Sequence, residues 1–599
     1  MRKLILLLGL LISFSVLTFC CNAEEKNEDY RIIEEGYEST LPVLYINVEG
    51  GSSARSQLEY KNAYMKLVPN EKYADATLYE GDVQIKARGN ATYQKPKKPY
   101  KIKLDKATDL FGFGKSKHWV LLAQYFDESL MRNKLAYDLA GKLGLVSCES
   151  VWVDVVFNGK YIGVYQLCEQ IKIGDGRINI TDWEEEAESI ADAIAAKEGL
   201  SKDERKALED QMQENLKWIS THKVKYNGTE YNIDDYYTIP GEPTGGIIFE
   251  IAEEFDEESK FRSDRRVPVM IKEPEYANTN DELFRYAEDY INAFERALFS
   301  KDGYTEYNGK KIHYSHLGDI DSFVKTWLVA EFTGNRDATF KSRYMYLNND
   351  GSKLVFGPVW DYDLSMGAVN QWHVSKPRET LLDITTDYWF RQAFTHPYFT
   401  VRFVDTYYDY IDSFTEMSVD GGLVDQYRDY LSESYVTNEE LWRFSRGYEK
   451  DAEYVKTWLT KRLAYFDERF ENIDSFVNEA GYRPSNLISL SVYDKEGNRK
   501  PESIGYDDGC YVYIDARSMP PSTQLRVYIN GIYYGNAINL EPTKYALYIE
   551  PEFLSDVAGH RNVITVWSDR NDRLTDSDYA IVVKDEPSPW YARFVDIIE

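Results

Sequence analysis

The 599-residue sequence predicts an α+β protein of two or more domains that ends in a β-sandwich. Three observations predict it. Strand-period stretches and an Asn-Gly turn dominate up to about residue 170, and helix follows helix from about 390 to 480. Strand period then returns after Pro484, in six or more short runs at regular spacing.

Composition narrows the class. Hydrophobic residues make up 43% and charged residues 28%, as in ordinary folded proteins. Aromatic content is 15%, with 49 Tyr, which points to wide half-buried surfaces and, less often, to a carbohydrate or protein interface. The net charge of −30 repels a phosphate backbone, so nucleic acid is excluded as a partner.

Met1 to Cys21 reads as an export signal, with Arg2 and Lys3 ahead of the apolar run Leu4 to Phe19. Its Leu-Thr-Phe-Cys-Cys ending resembles a bacterial lipoprotein signal, in which an acylated cysteine becomes the new N-terminus. Cys20 or Cys21 would carry the lipid, although Phe19 stands where a small residue is usual. The polar stretch 22–39 then reads as a tether. This places the protein outside the cytoplasm, held to a membrane on its periplasmic or cell-surface side; cleavage and full secretion is the other reading. No other apolar run is long enough to span a bilayer. Cys148, Cys168 and Cys510 are too few and too scattered for a disulfide framework or a zinc site. Cys148 and Cys168 flank a hairpin and could pair, but buried free thiols are expected.

The main domain is expected over 40–483. "LPVLYINVEGG" alternates like a strand, and Val83–Ala87 and Tyr100–Leu104 are strands joined by a polar loop. "DESLMRNKLAYDLAGKLG" is an amphipathic helix with Leu135, Leu139 and Leu143 on one face, Asp127 or Ser129 as cap, and Gly144 at its end. "VWVDVVFNGKYIGVYQL" is a hairpin turning at Asn158-Gly159. Residues 183–240, charged and Ala-rich, read as a helical surface insertion. "GGIIFEIAEE" is a strand and "NDELFRYAEDYINAFERALF" a helix. Residues 484–599 form the expected C-terminal, immunoglobulin-like sandwich, with a second Asn-Gly turn at Asn530-Gly531.

Two stretches carry chemistry. "EFTGNRDATFKSRYMYLNNDGSKLVFGPVWDYDLSMG" sets Asp337 before a hairpin and Asp361 and Asp363 after it. Acids at the two ends of a hairpin can meet, one holding a metal ion and the other orienting a hydroxyl, as phosphoryl transfer requires. Acids also flank hairpins simply because turns are polar. The second stretch, Lys86 to Lys106, is "KARGNATYQKPKKPYKIKLDK". Backbone N–H groups of such a loop and a lysine on the strand after it could hold phosphates. It has one glycine where a kinase loop has three, and basic hairpins are commonly solvated surface.

Both stretches occur in kinase order, with a helix between them, and the run becomes recognisable. It resembles the spore coat protein CotH family of extracytoplasmic atypical kinases. The matching signatures are "RGNATYQKPKKPYKIKLDK", "WVLLAQYFDESLMRNKLAYDLAGKLG", "FNGKYIGVYQLCEQIKIGDGRINI", "GGIIFEI", "EFTGNRDATFKSRYMYL" and "FGPVWDYDLSMG". They cover roughly residues 40–480. The resemblance implies a divergent two-lobed protein-kinase-like fold that binds ATP with Mg²⁺ or Mn²⁺. It also implies phosphorylation of Ser or Thr on extracytoplasmic or cell-surface proteins. By position, Asp337 is implied as the catalytic acid and Asp361 as the metal ligand, with Asp363 a second ligand or support. Arg88, Gly89 and Asn90 would form the loop over the phosphates, and Lys103 would be the phosphate lysine, with Lys101 its rival on the same strand face. Arg132 and Glu169 match family positions and are carried as nucleotide-site residues. Two departures stand out: Ser342 occupies the place of the asparagine that holds a second metal in ordinary kinases, and Tyr93 the place of a tryptophan. They leave open a second reading, a catalytically weak or inactive surface lipoprotein whose kinase-like body and sandwich bind protein or glycan. The seven histidines do not cluster, which disfavours a His-based hydrolase.

Overall fold

The computed structural model describes residues 28–585, apart from 77–78, 175, 241–244, 348–352, 372–373, 385–387, 518, 521, 556 and 558. The leader, Cys20, Cys21 and the start of the tether lie outside the described residues. Two units are present. The first comprises the described residues up to Tyr125 together with Ser150–Gln170 and Tyr430–Arg443; the second comprises Phe126–Glu149, Ile171–Asp429 and the chain from Phe444 onward.

The first unit is a closed barrel of seven strands: β1 (Val43–Val48), β2 (Lys61–Val68), β3 (Glu80–Ala87), β4 (Tyr100–Asp109), β5 (Lys115–Leu122), β6 (Ser150–Phe157) and β7 (Lys160–Glu169). Their order is β1-β2-β3-β4-β5-β7-β6, closed by a parallel pairing of β1 with β6. Alternation decides which side chains go inside. Met65, Val83, Ile85, Ile102, Leu121 and Val153 fill the interior, while Lys101 and Lys103 point outward between them. The Asn158-Gly159 turn between β6 and β7 has positive φ at both positions (48° and 71°), the geometry that twists a two-residue hairpin correctly. β6 is buried along its whole length because residues 430–443 cover its outer face, where Ser434 donates to the buried Asp154 at 2.6 Å. β2 and β5 were passed over in the sequence, and the closing β1–β6 pair is non-local.

The second unit holds a five-stranded sheet in the order Lys260–Arg262, Pro268–Glu273, Ile247–Ile251, Arg343–Leu347, Leu354–Phe356. The helices Asp281–Phe299 and Ile320–Thr333 each bury a wide apolar face. Within 183–240 three helices share a core around Trp183, Ile190, Met212 and Trp218, two of whose tryptophans meet edge to face at 6.0 Å. The insertion is not helix alone: Lys223–Tyr226 and Thr229–Asn232 pair as a hairpin, turning at Asn227-Gly228 with positive φ. Beyond residue 390 the chain is helical to Ala480. Two four-stranded sheets follow and enclose one apolar cluster that includes Val512, Ile514, Val527, Ile529, Ile564 and Val566. Val563 of these sheets packs with Val401, Val477 and Tyr482 of the helical part, and Arg561 pairs with Asp405 at 2.5 Å. The whole is the α+β class that the sequence predicts. Cys148, Cys168 and Cys510 are free and buried. Among the described residues no helix is long and apolar enough to cross a membrane.

Candidate functional site

The helix Ile320–Thr333 ends at Gly334, whose φ of 64° turns the chain and whose missing side chain admits Ser375 and Trp458. The next residues build the site. Asp337 opens a short turn, Asp337–Thr339, and the strand Arg343–Leu347 leaves it to pair with Leu354–Phe356. That second strand returns the chain to Trp360, Asp361, Tyr362 and Asp363. The two ends of the hairpin are joined by one buried side chain, Asn335. Its Oδ1 accepts from the Asp337 N–H at 3.2 Å, and its Nδ2 donates to the Asp361 carbonyl at 3.2 Å.

Asp361 has φ of 66°, a left-handed conformation unfavourable for a residue with a Cβ. The helix Arg132–Lys142 holds it there. Asn133 accepts from the Tyr362 N–H at 2.6 Å, the Tyr137 hydroxyl meets the Asp361 N–H at 3.4 Å, and Trp360 stacks on the Tyr137 ring at 5.8 Å. Arg132, fully buried, donates from Nε to the Ser365 carbonyl at 2.9 Å and through its other nitrogens to Asp127, Ser129 and Asp451. Asp127 also takes the Arg132 N–H at 2.7 Å. The start of that helix is therefore satisfied from five residues upstream, since Met131 occupies the cap position and offers no side-chain bond.

Charge at the site is unbalanced. Burial pushes the Asp363 carboxyl well above the carboxylate range, and the charges of Asp361, Asp127 and Asp337 push it further, with Lys341 opposing. Lys341 pairs with Asp337 at 3.0 Å. Burial opposes its charge, yet Asp337, with Asp361 and Glu254 beyond it, holds the ammonium above its ordinary range. The charges of Asp337 and Asp361 thus bear on the buried Asp363, and a cation among these hard oxygen donors would relieve it. Among the described residues no group of three or more His, Cys, Asp or Glu is placed to hold a metal ion unaided. Asp361 and Asp363 are hard carboxylate donors, of which an ion such as Mg²⁺ needs only one or two.

Of the residues read from the sequence, the second unit gathers Asp337, Asp361 and Asp363 and braces them through Arg132, whose guanidinium is taken up by its protein partners. Arg88, Gly89, Asn90, Lys103 and Glu169 belong to the first unit. Arg88 N–H donates to the Pro99 carbonyl at 3.1 Å, and Gly89, with φ of 88°, closes so tightly that a Cβ would lie 2.5 Å from the Thr92 hydroxyl. Lys103 stands on the outer face of β4 and lines a cleft of about 430 Å³ with Arg31, Asp82, Asp105 and Lys117. Glu169 is buried at the end of β7, opposite Trp119 of β5. The sequence reading missed Asn335, Lys341, Asn133 and Tyr137, which hold the acids in place. It also missed Lys97, a fully buried lysine of the first unit that donates to the Val164 carbonyl and to Asn438 and lies 4.7 Å from the Tyr165 ring centre. Burial lowers its pKa from 10.5 to about 7, against the pull of Asp154.

Comparison with known proteins gives the family. The inner spore coat protein H of Bacillus subtilis (strain 168) is 34% identical over 105 residues, which are 16% of this chain and 28% of that protein. The chain thus matches under a third of that relative's length. The family model described as CotH kinase protein matches residues 85–466, well over half of the chain and including every acid of the site. The chain belongs to the CotH kinase protein family.

Proposed function

We propose that this protein is a phosphotransferase that uses ATP and Mg²⁺ or Mn²⁺ to phosphorylate Ser or Thr on extracytoplasmic or cell-surface proteins. We further propose a divergent kinase-like body followed by a β-sandwich, held to a membrane through a lipid on Cys20 or Cys21. The carrying observation is the Asn335 clamp, which ties Asp337 to Asp361 across the base of the hairpin. In this reading Asp337 accepts the proton of the attacking hydroxyl. Asp361 and Asp363 supply oxygens to the cation, which when bound offsets charge on the transferring phosphate. Lys341 holds the Asp337 carboxylate in place. Arg88, Gly89, Asn90 and Lys103 are the proposed phosphate contacts, on the strength of the family resemblance. The spore-coat name of the relative supports a surface location.

The test is nucleotide binding followed through two variants. Asp361→Asn is expected to remove metal-dependent ATP affinity, because a neutral amide is a far weaker Mg²⁺ ligand. Asp337→Asn is expected to keep ATP binding and lose about 10²–10⁴ in turnover. Should the wild-type protein bind no nucleotide with any divalent metal, the non-catalytic reading replaces this one. The serine at position 342, in place of a metal-binding asparagine, favours that alternative.

A further inference from the structure

The outer face of one C-terminal sheet carries a pattern that phosphoryl transfer does not use. Along Cys510–Ala516 the residues Cys510, Val512 and Ile514 enter the core, so Tyr511, Tyr513 and Asp515 face out. The register then places side chains across the strands in rows. Tyr493, Tyr511 and Tyr548 lie opposite one another on three adjacent strands. The next row runs from Tyr513 through Ala546 to Ile538. Tyr511, Tyr513, Tyr548 and Ile538 are 42%, 43%, 36% and 65% exposed, unusually high for such side chains on neighbouring strands. The rings are ordered by contact: Tyr511 and Tyr548 lie 4.8 Å apart, Tyr493 and Tyr513 5.1 Å. The Tyr548 hydroxyl also takes a hydrogen bond from the backbone of Gly509, a position where a Cβ would lie 2.6 Å from that hydroxyl.

Charge and size decide what such a face can hold. Two lysines at the face are taken up by carboxylates, Lys544 by Asp515 at 2.6 Å and Lys495 by Asp508 at 2.8 Å, and Glu550 adds a negative charge beside Tyr548. The face therefore offers no surplus of positive charge, on a chain of net charge −30 that repels polyanions. Strands about 4.8 Å apart make the tyrosine row about 10 Å long, and the two rows lie about 7 Å apart. The exposed parts of Tyr511, Tyr513, Tyr548 and Ile538 together come to about 300 Å², well below the roughly 800 Å² that a stable protein partner or a second copy needs from each side. A narrow, uncharged ligand with flat apolar faces and many hydroxyls fits both limits. Sugar rings offer C–H faces to aromatic rings and hydroxyls to phenolic oxygens. We propose that this face binds an uncharged polysaccharide, engaging two or three sugar units at a time. The proposal is independent of the phosphotransferase reading.

The test uses the full chain in native gels containing hydroxyethylcellulose, soluble starch, galactomannan or neutral arabinoxylan, with polygalacturonate as the anionic comparison. At least one neutral polymer is expected to retard the protein. Tyr511→Ala and Tyr548→Ala should each weaken that retardation at least ten-fold, while Tyr511→Phe keeps most of it. If the alanine variants do not fold, acetylation of tyrosine hydroxyls in the wild-type protein decides, with Tyr511 and Tyr548 expected to be protected by the retarding polymer. Migration unchanged in every neutral polymer overturns the proposal. So does retardation that survives both alanine substitutions, binding to polygalacturonate alone, or the absence of protection at these tyrosines.

Discussion

Two neighbouring groups of buried charge in the second unit are built to opposite rules. Around Arg132, two guanidinium groups, Arg132 and Arg446, meet two carboxylates, Asp127 and Asp451. The formal charges cancel. Although burial alone would raise it, the Asp451 carboxyl is held below its ordinary range by Arg132 and Arg446. Around Asp337, three carboxylates face one ammonium, Lys341, and the carboxyl of Asp363 is driven upward. A balanced cluster is architecture, because each charge meets a partner of opposite sign, although burial still holds the Asp127 carboxyl above its ordinary range. An unbalanced one lowers stability and persists where an incoming cation completes it.

The comparison breaks first on activity. Removing a carboxylate from the unbalanced group should cost function and little stability. Asp337→Asn is expected to lower turnover by about 10²–10⁴. Its urea midpoint should equal or exceed that of the wild type, since a like charge has gone. A midpoint well below wild type would mean that Asp337 is a structural ion-pair partner of Lys341. Removing a charge from the balanced group should do the reverse. Arg132→Leu leaves Asp127 and Asp451 without their shared partner in the interior, and is expected to cost about 3–5 kcal/mol of unfolding free energy. Denaturant titration reads it directly. If the loss is under about 1 kcal/mol, the brace is incidental.

Lys97 sharpens the comparison with a single buried cation in the first unit. Its folded pKa, about 7, lies below the 10.5 of the unfolded chain, so between these values the unfolded chain binds more protons. Stability therefore rises with pH across that window, by up to about 1.4 kcal/mol per pH unit. From pH 7 to 9 the wild type should gain about 2 kcal/mol relative to Lys97→Met, which lacks the titrating group. Equal pH profiles for the two proteins would show that the ammonium keeps its proton in the fold.

Residue type and spacing drew attention to Asp337, Asp361 and Asp363 in the sequence, and the family resemblance supplied their proposed roles. Hard oxygen donors around a predicted hairpin carry their chemistry in their identity. What holds them was hidden for physical reasons. Asn335, in "TGNRD", reads as an ordinary turn residue, because one of its two partners, Asp361, lies 26 positions away and only the folded hairpin brings it close. Lys97 sits in a basic, proline-punctuated loop that looks solvated, and its burial depends on Asn438, 341 positions away. Barrel closure through β1 and β6 is likewise a long-range pairing that leaves no local periodicity. The Lys223–Asn232 hairpin did have a signal, Asn227-Gly228, which the charged helical texture around it outweighed.

The smallest expected effect is the most discriminating, because it asks whether the clamp between the acids matters to the reaction or only to the fold. Asn335→Ala leaves the Asp337 N–H and the Asp361 carbonyl without these partners, which should cost about 1–3 kcal/mol of stability. A purely structural role would stop there, and turnover per folded molecule would match the wild type. If Asn335 sets the distance between the hydroxyl-orienting and metal-holding acids, kcat should fall about 10–100-fold, while ATP affinity, set by groups that the variant retains, stays within a few-fold. Asn335→Asp separates the two bonds. It preserves the acceptor for the Asp337 N–H but replaces the donor to Asp361 with another negative charge in a group already short of cations. We expect it to be slower than the alanine variant at low Mg²⁺ and to recover toward it as Mg²⁺ rises. A kcat unchanged in both variants would confine Asn335 to the fold and leave the positioning of Asp361 to Asn133 and Tyr137.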